Sequence, residues 1–91
     1  MKKAAKIVVI GTVPMLFFGN YIKEHADNLD LKGFVRNVED GSAEILIEGE
    51  IDNVDRMYEL CKEGPKHAVI RDVQMTETKF QDFKEFQILH I

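Results

Sequence analysis

Residues 32–48 form the pattern that most restricts the fold of this chain, because two extended segments flank one tight turn. Residues 33–37 (Gly-Phe-Val-Arg-Asn) have the aromatic and β-branched content typical of a strand. Residues 39–42 (Glu-Asp-Gly-Ser) read as a turn in which Gly41 is free to adopt a positive φ. Ala43, Ile45 and Ile47 alternate with Glu44 and Glu48, as in a strand with one face in water. The chain is therefore expected to contain an antiparallel hairpin near its middle.

The segments on either side of this hairpin are a strand and a helix before it, and a helix and a strand after it. Residues 5–11 contain a β-branched run typical of a central strand. A helix follows, with apolar residues at helical spacing, namely Phe18, Ile22, Ala26 and Leu29. After the hairpin, Asp52 is placed to cap a second helix that Gly64 and Pro65 end. Residues 69–76 and 86–91 are the last two predicted strands.

This order predicts an α+β fold. A β-α-β-β-α-β succession with short connections fits a ferredoxin-like βαββαβ sandwich, with an antiparallel sheet of four to five strands and two helices on one face. No linker or repeat interrupts the chain, so residues 1–91 are expected to form a single domain. The fold alone does not identify a function, because it hosts enzymes, regulatory domains and RNA binders.

Composition excludes several classes of function. The formal net charge of −4 argues against a general nucleic-acid binder, which needs clustered Lys and Arg. One cysteine, Cys61, cannot form an internal disulfide, and the three histidines show no metal-ligand spacing. No apolar run approaches the length of a membrane span. We therefore expect a cytoplasmic protein with no metal, no cofactor and no membrane or nucleic-acid partner.

Two segments carry a family resemblance. Residues 11–19 (Gly-Thr-Val-Pro-Met-Leu-Phe-Phe-Gly) join the first strand to the first helix, and Asn37 ends the second strand. Together they resemble the acylphosphatase family, in which the strand–helix loop typically reads Gly-Arg-Val-Gln-Gly-Val-Gly-Phe-Arg. In that family the backbone N–H groups of the loop and its final arginine hold a phosphate, while an asparagine on the next strand positions the attacking water.

The resemblance implies a function and a set of site residues. The function is metal-free hydrolysis of the carboxyl–phosphate bond of small acyl phosphates. Asn37 would position the water. The phosphate cradle would consist of the backbone N–H groups of five consecutive residues: Met15, Leu16, Phe17, Phe18 and Gly19.

The match to the loop pattern is uneven. Gly11, Val13, Phe18 and Asn37 agree with it, but the final arginine falls on Gly19. The two inner glycines fall on Met15 and Phe17, and the glutamine falls on Pro14, which has no N–H to donate. Losing one preorganised donor costs about 3–4 kcal/mol, or on the order of 10²–10³ in rate. Hydrolysis is therefore expected to be weak or absent.

Two cations are considered as replacements for the arginine. Lys23 lies one helical turn after Gly19 and has the reach to lean back toward the loop, although a solvent-facing lysine is the more common case. Arg36 adjoins Asn37, so the alternation of a strand sends it to the opposite face.

Two alternatives stay open. Asn37 precedes a turn, where an asparagine often satisfies backbone groups without any catalytic role. The apolar loop Pro14–Phe17 is expected either to join the core or to extend the helix. Otherwise it forms an exposed patch, and the protein is then a non-catalytic relative that binds a protein or a ligand there.

Overall fold

The computed structural model describes residues 1–38 and 40–89, which form five strands and two helices. In chain order they are β1 (Lys2–Thr12), α1 (Met15–Asn28), β2 (Lys32–Asn37), β3 (Ala43–Glu50), α2 (Ile51–Glu63), β4 (Val69–Thr78) and β5 (Phe86–Ile88). The strands form one sheet in the order β4-β1-β3-β2-β5. The predicted ferredoxin-like order is confirmed.

The first strand lies inside the sheet, with a neighbouring strand on each of its two edges. β1 pairs antiparallel with β3 and with β4. Ala5, Ile7 and Val9 point to the helix layer and are fully buried. This agrees with the central position that the β-branched run predicts.

The fifth strand runs in a direction that the sequence does not indicate. Four strands pair antiparallel as predicted, whereas β5 pairs parallel with β2, with Phe86 beside Gly33. β4 ends beside the start of β1, and the connecting segment leads from there to the start of β2. β5 therefore enters the sheet in the same direction as β2, and the sheet is mixed. The predicted end of this strand, residues 90–91, lies outside the described residues.

Both helices pack on one face of the sheet. The side of α1 that is buried there carries Phe18, Gly19, Ile22 and Ala26. The buried side of α2 carries Val54, Met57, Leu60 and Cys61. Neither helix is long and apolar enough to span a membrane, a statement that covers the described residues.

One hydrogen bond links the two helices directly. The hydroxyl of Tyr21 on α1 donates to the carbonyl oxygen of Leu60 on α2 over 2.9 Å, and this hydrogen bond is partly buried. Burial is the main reason that the pKa of Tyr21 lies above its usual value.

Tyr21→Phe is expected to lower the free energy of unfolding by about 1 kcal/mol, because it removes this bond while keeping the ring. Urea unfolding followed by circular dichroism measures the change. Tyr58→Phe is the matched control, since the Tyr58 hydroxyl donates over a longer 3.3 Å to an edge carbonyl. An equal loss in both variants would contradict a specific role for the interhelical bond.

The face of the sheet opposite the helices is crossed by residues 79–85, which we call the strap. Glu48 on β3 is 8% exposed, and its carboxylate accepts the backbone N–H groups of Gln81 and Phe83. The ring of Phe83 also packs edge-on against Phe34, with centroids 5.8 Å apart. One buried carboxylate therefore fixes the path by which the chain reaches β5.

The predicted hairpin turn is present between β2 and β3. Gly41 adopts φ 88°, in agreement with the prediction. The Asp40 carboxylate accepts the hydroxyl of Ser42 at 2.6 Å and its N–H at 2.9 Å. These hydrogen bonds hold the pKa of Asp40 below its ordinary value. Glu39, the first residue of the predicted turn, lies outside the described residues.

Candidate functional site

The candidate site lies at the edge of the sheet where β1 and β2 both end. Val9, Ala43 and Asn37 stand in one row across β1, β3 and β2. With neighbouring strands about 4.8 Å apart, the backbone of Asn37 lies roughly 10 Å from that of Val9. Asn37 follows buried Val35 by two positions, so it points to the helix side, and its side chain is exposed. The structure therefore places Asn37 at the edge from which the chain enters α1.

The strand–helix connection is shorter than the sequence suggests. Only Val13 and Pro14 separate β1 from α1, and Met15–Phe17 form the first helical turn. The predicted apolar loop Pro14–Phe17 is thus mostly helix. Pro14 explains the difference: its φ of −58° suits the position before a helix, and its missing N–H costs nothing there.

This helical start reduces the number of free cradle donors. The N–H groups of Phe17 and Phe18 donate to the Pro14 carbonyl oxygen at 3.1 and 2.9 Å. Gly19 lies further inside α1, where its N–H belongs to the helical hydrogen-bond pattern. Met15 and Leu16 are the first two helical residues, whose N–H groups have no acceptor within the helix. Of the five N–H groups predicted to form a cradle, those of Met15 and Leu16 are thus the two without an acceptor inside the helix.

Neighbouring side chains enclose Gly19, on which the resemblance predicts that the family arginine falls. Gly19 is buried, and a Cβ atom added there would lie 2.8 Å from Met15 Sδ and 3.3 Å from Ile88 Cγ2. Met15 reaches Gly19 from the preceding helical turn, and Ile88 reaches it from β5. Apolar side chains of α1 and β5 therefore enclose Gly19, the residue on which the family arginine is expected to fall.

The two candidate replacement cations are engaged away from the cradle. Lys23 Nζ donates to Asp27 Oδ2 at 3.0 Å and to the Phe86 carbonyl oxygen at 3.1 Å, which directs it toward the far end of α1. Arg36 bonds Glu44 on the opposite face, with both contacts at 3.0 Å, as strand alternation predicts.

The remaining side chains of the helical start form an exposed apolar surface. Leu16 is 72% exposed and Phe17 is 50% exposed. The Phe17 ring lies 5.1 Å from the ring of His67, which follows α2. We call Leu16 and Phe17 the α1 apolar patch. Within this segment Met15 thus turns inward, while Leu16 and Phe17 face water.

Two other candidate chemistries find no support in the geometry. Burial raises the pKa of the Cys61 thiol to about 12, so the thiolate needed for nucleophilic chemistry is scarce at neutral pH. Within residues 1–38 and 40–89, no group of three or more His, Cys, Asp or Glu side chains is placed to hold a metal ion. His90 lies outside these ranges.

The sequence did not reveal two of the residues at this edge. Ile88 touches Gly19 only because β5 pairs with β2, a long-range parallel contact that no local pattern encodes. His67 meets Phe17 because the connection after α2 passes the start of α1. The apolar spacing of Phe86 and Ile88 predicts a strand, but it does not indicate the strand with which β5 pairs.

The described residues form a ferredoxin-like sandwich whose candidate site lies where β1 joins α1, and the comparisons with known proteins agree with it. The Acylphosphatase family model matches residues 5–88. An acylphosphatase of Alkalilimnicola ehrlichii is 34% identical over 89 residues, covering 98% of this chain and 100% of its own. The chain belongs to the acylphosphatase family, which confirms the resemblance.

Solved structures agree with the sequence comparison. The crystal structure of acylphosphatase from Bacillus subtilis superposes with a TM-score of 0.91 at 30% identity, covering 99% of this chain and 100% of that one. An acylphosphatase from Coxiella burnetii gives a TM-score of 0.91 at 28% identity, covering 97% and 93%.

Proposed function

We propose that this protein is an acylphosphatase relative whose hydrolysis of acyl phosphates is weak or absent. The observation that carries the proposal is the packing of Met15 and Ile88 against Gly19, where the family pattern has an arginine. A bidentate arginine neutralises the charge of a bound phosphate, and apolar side chains cannot do so. If the site does act, its substrate is a small acyl phosphate and Asn37 positions the water.

A residual anion site is compatible with the start of α1. Met15 and Leu16 present N–H groups at the positive end of the helix dipole, and the first turn of α1 contains no acidic side chain. Without a cation these two donors favour weak phosphate binding at most. Phosphate affinity and hydrolysis are thus two separate properties to measure.

Hydrolysis of a small aryl acyl phosphate by the wild type is expected to stay near the uncatalysed rate. Asn37→Ala is expected to change the hydrolysis rate little, since positioning a water does not speed hydrolysis when no phosphate is bound. The acylphosphatase of Bacillus subtilis is the positive control under the same conditions. Rapid hydrolysis by the wild type that Asn37→Ala abolishes would show a working enzyme and overturn the proposal.

A second candidate function is binding of a protein or a ligand through the α1 apolar patch. The observation in its favour is the exposure of Leu16 and Phe17 side by side at a helix start. Large apolar side chains exposed together often mark an interaction surface. Leu16→Ser with Phe17→Ser should then abolish binding to a captured partner and leave the circular dichroism spectrum unchanged.

A further inference from the structure

A groove runs along the side of α1 that faces the connection between α2 and β4. Its volume of about 390 Å³ lies within the range of roughly 300–1,000 Å³ that is usual for small-molecule sites. Side chains from both walls line it, among them Leu16, Phe17, Tyr21, Glu24, Lys66 and His67. The α1 apolar patch is therefore one wall of a groove that has the size of a small-molecule site.

The middle of the groove is aromatic, and its rings are held in place. The Phe17 ring lies 5.1 Å from the His67 ring, measured between centroids. The Tyr21 ring is fixed by the hydrogen bond from its hydroxyl to the Leu60 carbonyl oxygen. A wall whose side chains are already ordered loses little conformational entropy when a ligand packs on it.

The two ends of the groove are distinguishable. His67 lies beside the start of α1, because it contacts Phe17 and because Val69, two residues later, pairs with Thr12 at the end of β1. Glu24 lies about two helical turns beyond Phe17, near the other end. The groove thus leads from the start of α1 to an acidic side chain.

The end at the start of α1 favours negative charge. The first turn of α1 has no acidic side chain, and the N–H groups of Met15 and Leu16 have no acceptor within the helix. Lys66 adds a cation, and no carboxylate in the described part of the chain pairs with it. The His67 ring has an N–H donor in either protonation state. An anion is therefore attracted to this end and repelled by Glu24 at the other.

We propose that this groove binds a small aromatic anion, with its charge beside Lys66 and the start of α1 and its ring packed between Phe17 and Tyr21. The inference rests on the second candidate function, ligand binding through the α1 apolar patch, and it names the class of that ligand. Contacts with the ring supply the affinity that a phosphate alone does not obtain here without an arginine. An aryl acyl phosphate and a free aromatic carboxylate both have this chemistry.

The test is NMR titration of the full chain with phenylphosphonate and with methylphosphonate, which carry the same anionic group with and without a ring. Phenylphosphonate is expected to bind about tenfold or more tightly, because its ring packs against fixed aromatic side chains. Benzyl alcohol, a ring without the anion, should bind more weakly than phenylphosphonate. The amide signals of Leu16, Phe17 and His67 should shift most.

Two variants assign the ring contact and the charge contact. Phe17→Ala should lower the affinity for phenylphosphonate about tenfold and leave that for methylphosphonate unchanged. Its matched control is Phe80→Ala, because Phe80 lies on the strap and is 49% exposed, close to the 50% of Phe17. Lys66→Gln should weaken both phosphonates alike, about threefold, whereas Lys79→Gln on the strap should change neither.

Benzoate distinguishes the two sources of such a ligand. Binding as tight as that of phenylphosphonate would indicate a free aromatic acid. A clear preference for phenylphosphonate would indicate a phosphorylated aromatic compound.

Equal affinity for the two phosphonates would overturn the proposal, as would equal losses in Phe17→Ala and Phe80→Ala or shifts confined to residues outside the groove. Phosphonates are not hydrolysed, so these results do not depend on the rate of acyl phosphate hydrolysis. Capture of a protein through Leu16 and Phe17 by a chain that binds no phenylphosphonate would leave the second candidate function standing and overturn this inference.

Discussion

A variant carrying both Met15→Gly and Gly19→Arg is expected to hydrolyse a small aryl acyl phosphate about 10²–10³ times faster than the wild type. The pair of changes restores two residues of the family loop pattern. The new arginine supplies the charge that a bound phosphate needs, and the new glycine vacates the space into which that side chain must extend. The initial rate of substrate loss, measured with each protein at one concentration, gives the comparison.

The single changes separate the two effects. Gly19→Arg alone should raise the hydrolysis rate much less. Its Cβ would lie 2.8 Å from Met15 Sδ, and such overpacking displaces the start of the helix. Met15→Gly alone should leave the hydrolysis rate unchanged, and it should lower the stability of the helix by about 1 kcal/mol. In the double variant, Asn37→Ala should remove the gained activity. A folded double variant no faster than the wild type would mean that Pro14 or Ile88 still closes the cradle.

Glu48→Ala is expected to lower the free energy of unfolding by about 2–4 kcal/mol, because two backbone N–H groups lose a charged acceptor. The carboxylate is largely buried, and both of its oxygens receive strap amides, from Gln81 and Phe83. Urea unfolding at neutral pH measures the loss. Hydrogen exchange should show faster exchange first at Gln81 and Phe83, and then along β5.

Glu50→Ala on the same strand is the matched control. Glu50 is half exposed and pairs with the N-terminal ammonium at 3.1 Å, so its removal should cost about 0–1 kcal/mol. Similar losses in the two variants would contradict the role assigned to Glu48. Because β5 carries Ile88 to Gly19, the Glu48 variant also tests whether the strap keeps the cradle filled.

The fold was predictable where a repeating pattern meets a clear stop. The alternation in β3, the apolar spacing of α1 and the glycine that ends α2 each specify one element. The start of α2 was harder to predict from the sequence. Asp52 was expected to cap it, but the helix begins at Ile51 after Glu50, and the first N–H donates to the Met1 carbonyl oxygen at 2.9 Å. A tertiary contact thus replaces the local cap.

The candidate site was predictable only in part, for a similar reason. The changes at Pro14, Met15 and Gly19 are visible as departures from the family pattern. The sequence does not show which side chains fill the space beside Gly19, because Ile88 comes from the other end of the chain through the parallel pairing of β5 with β2. Whether Met15 turned inward also depended on the helix starting there. A proline permits that start without requiring it.

The central position of β1 has a consequence for the order in which this chain folds. β1 is made first, yet neither of its neighbours is its successor in sequence, since it pairs with β3 and then with β4. The β2–β3 hairpin can close early and locally, whereas β1 must wait for partners separated from it by a helix or more. Loop-closure entropy must be overcome before those pairings contribute. Among the described strands, β1 thus waits longest for its partners during synthesis, since its second neighbour arrives only with β4 and β5 completes the sheet after that.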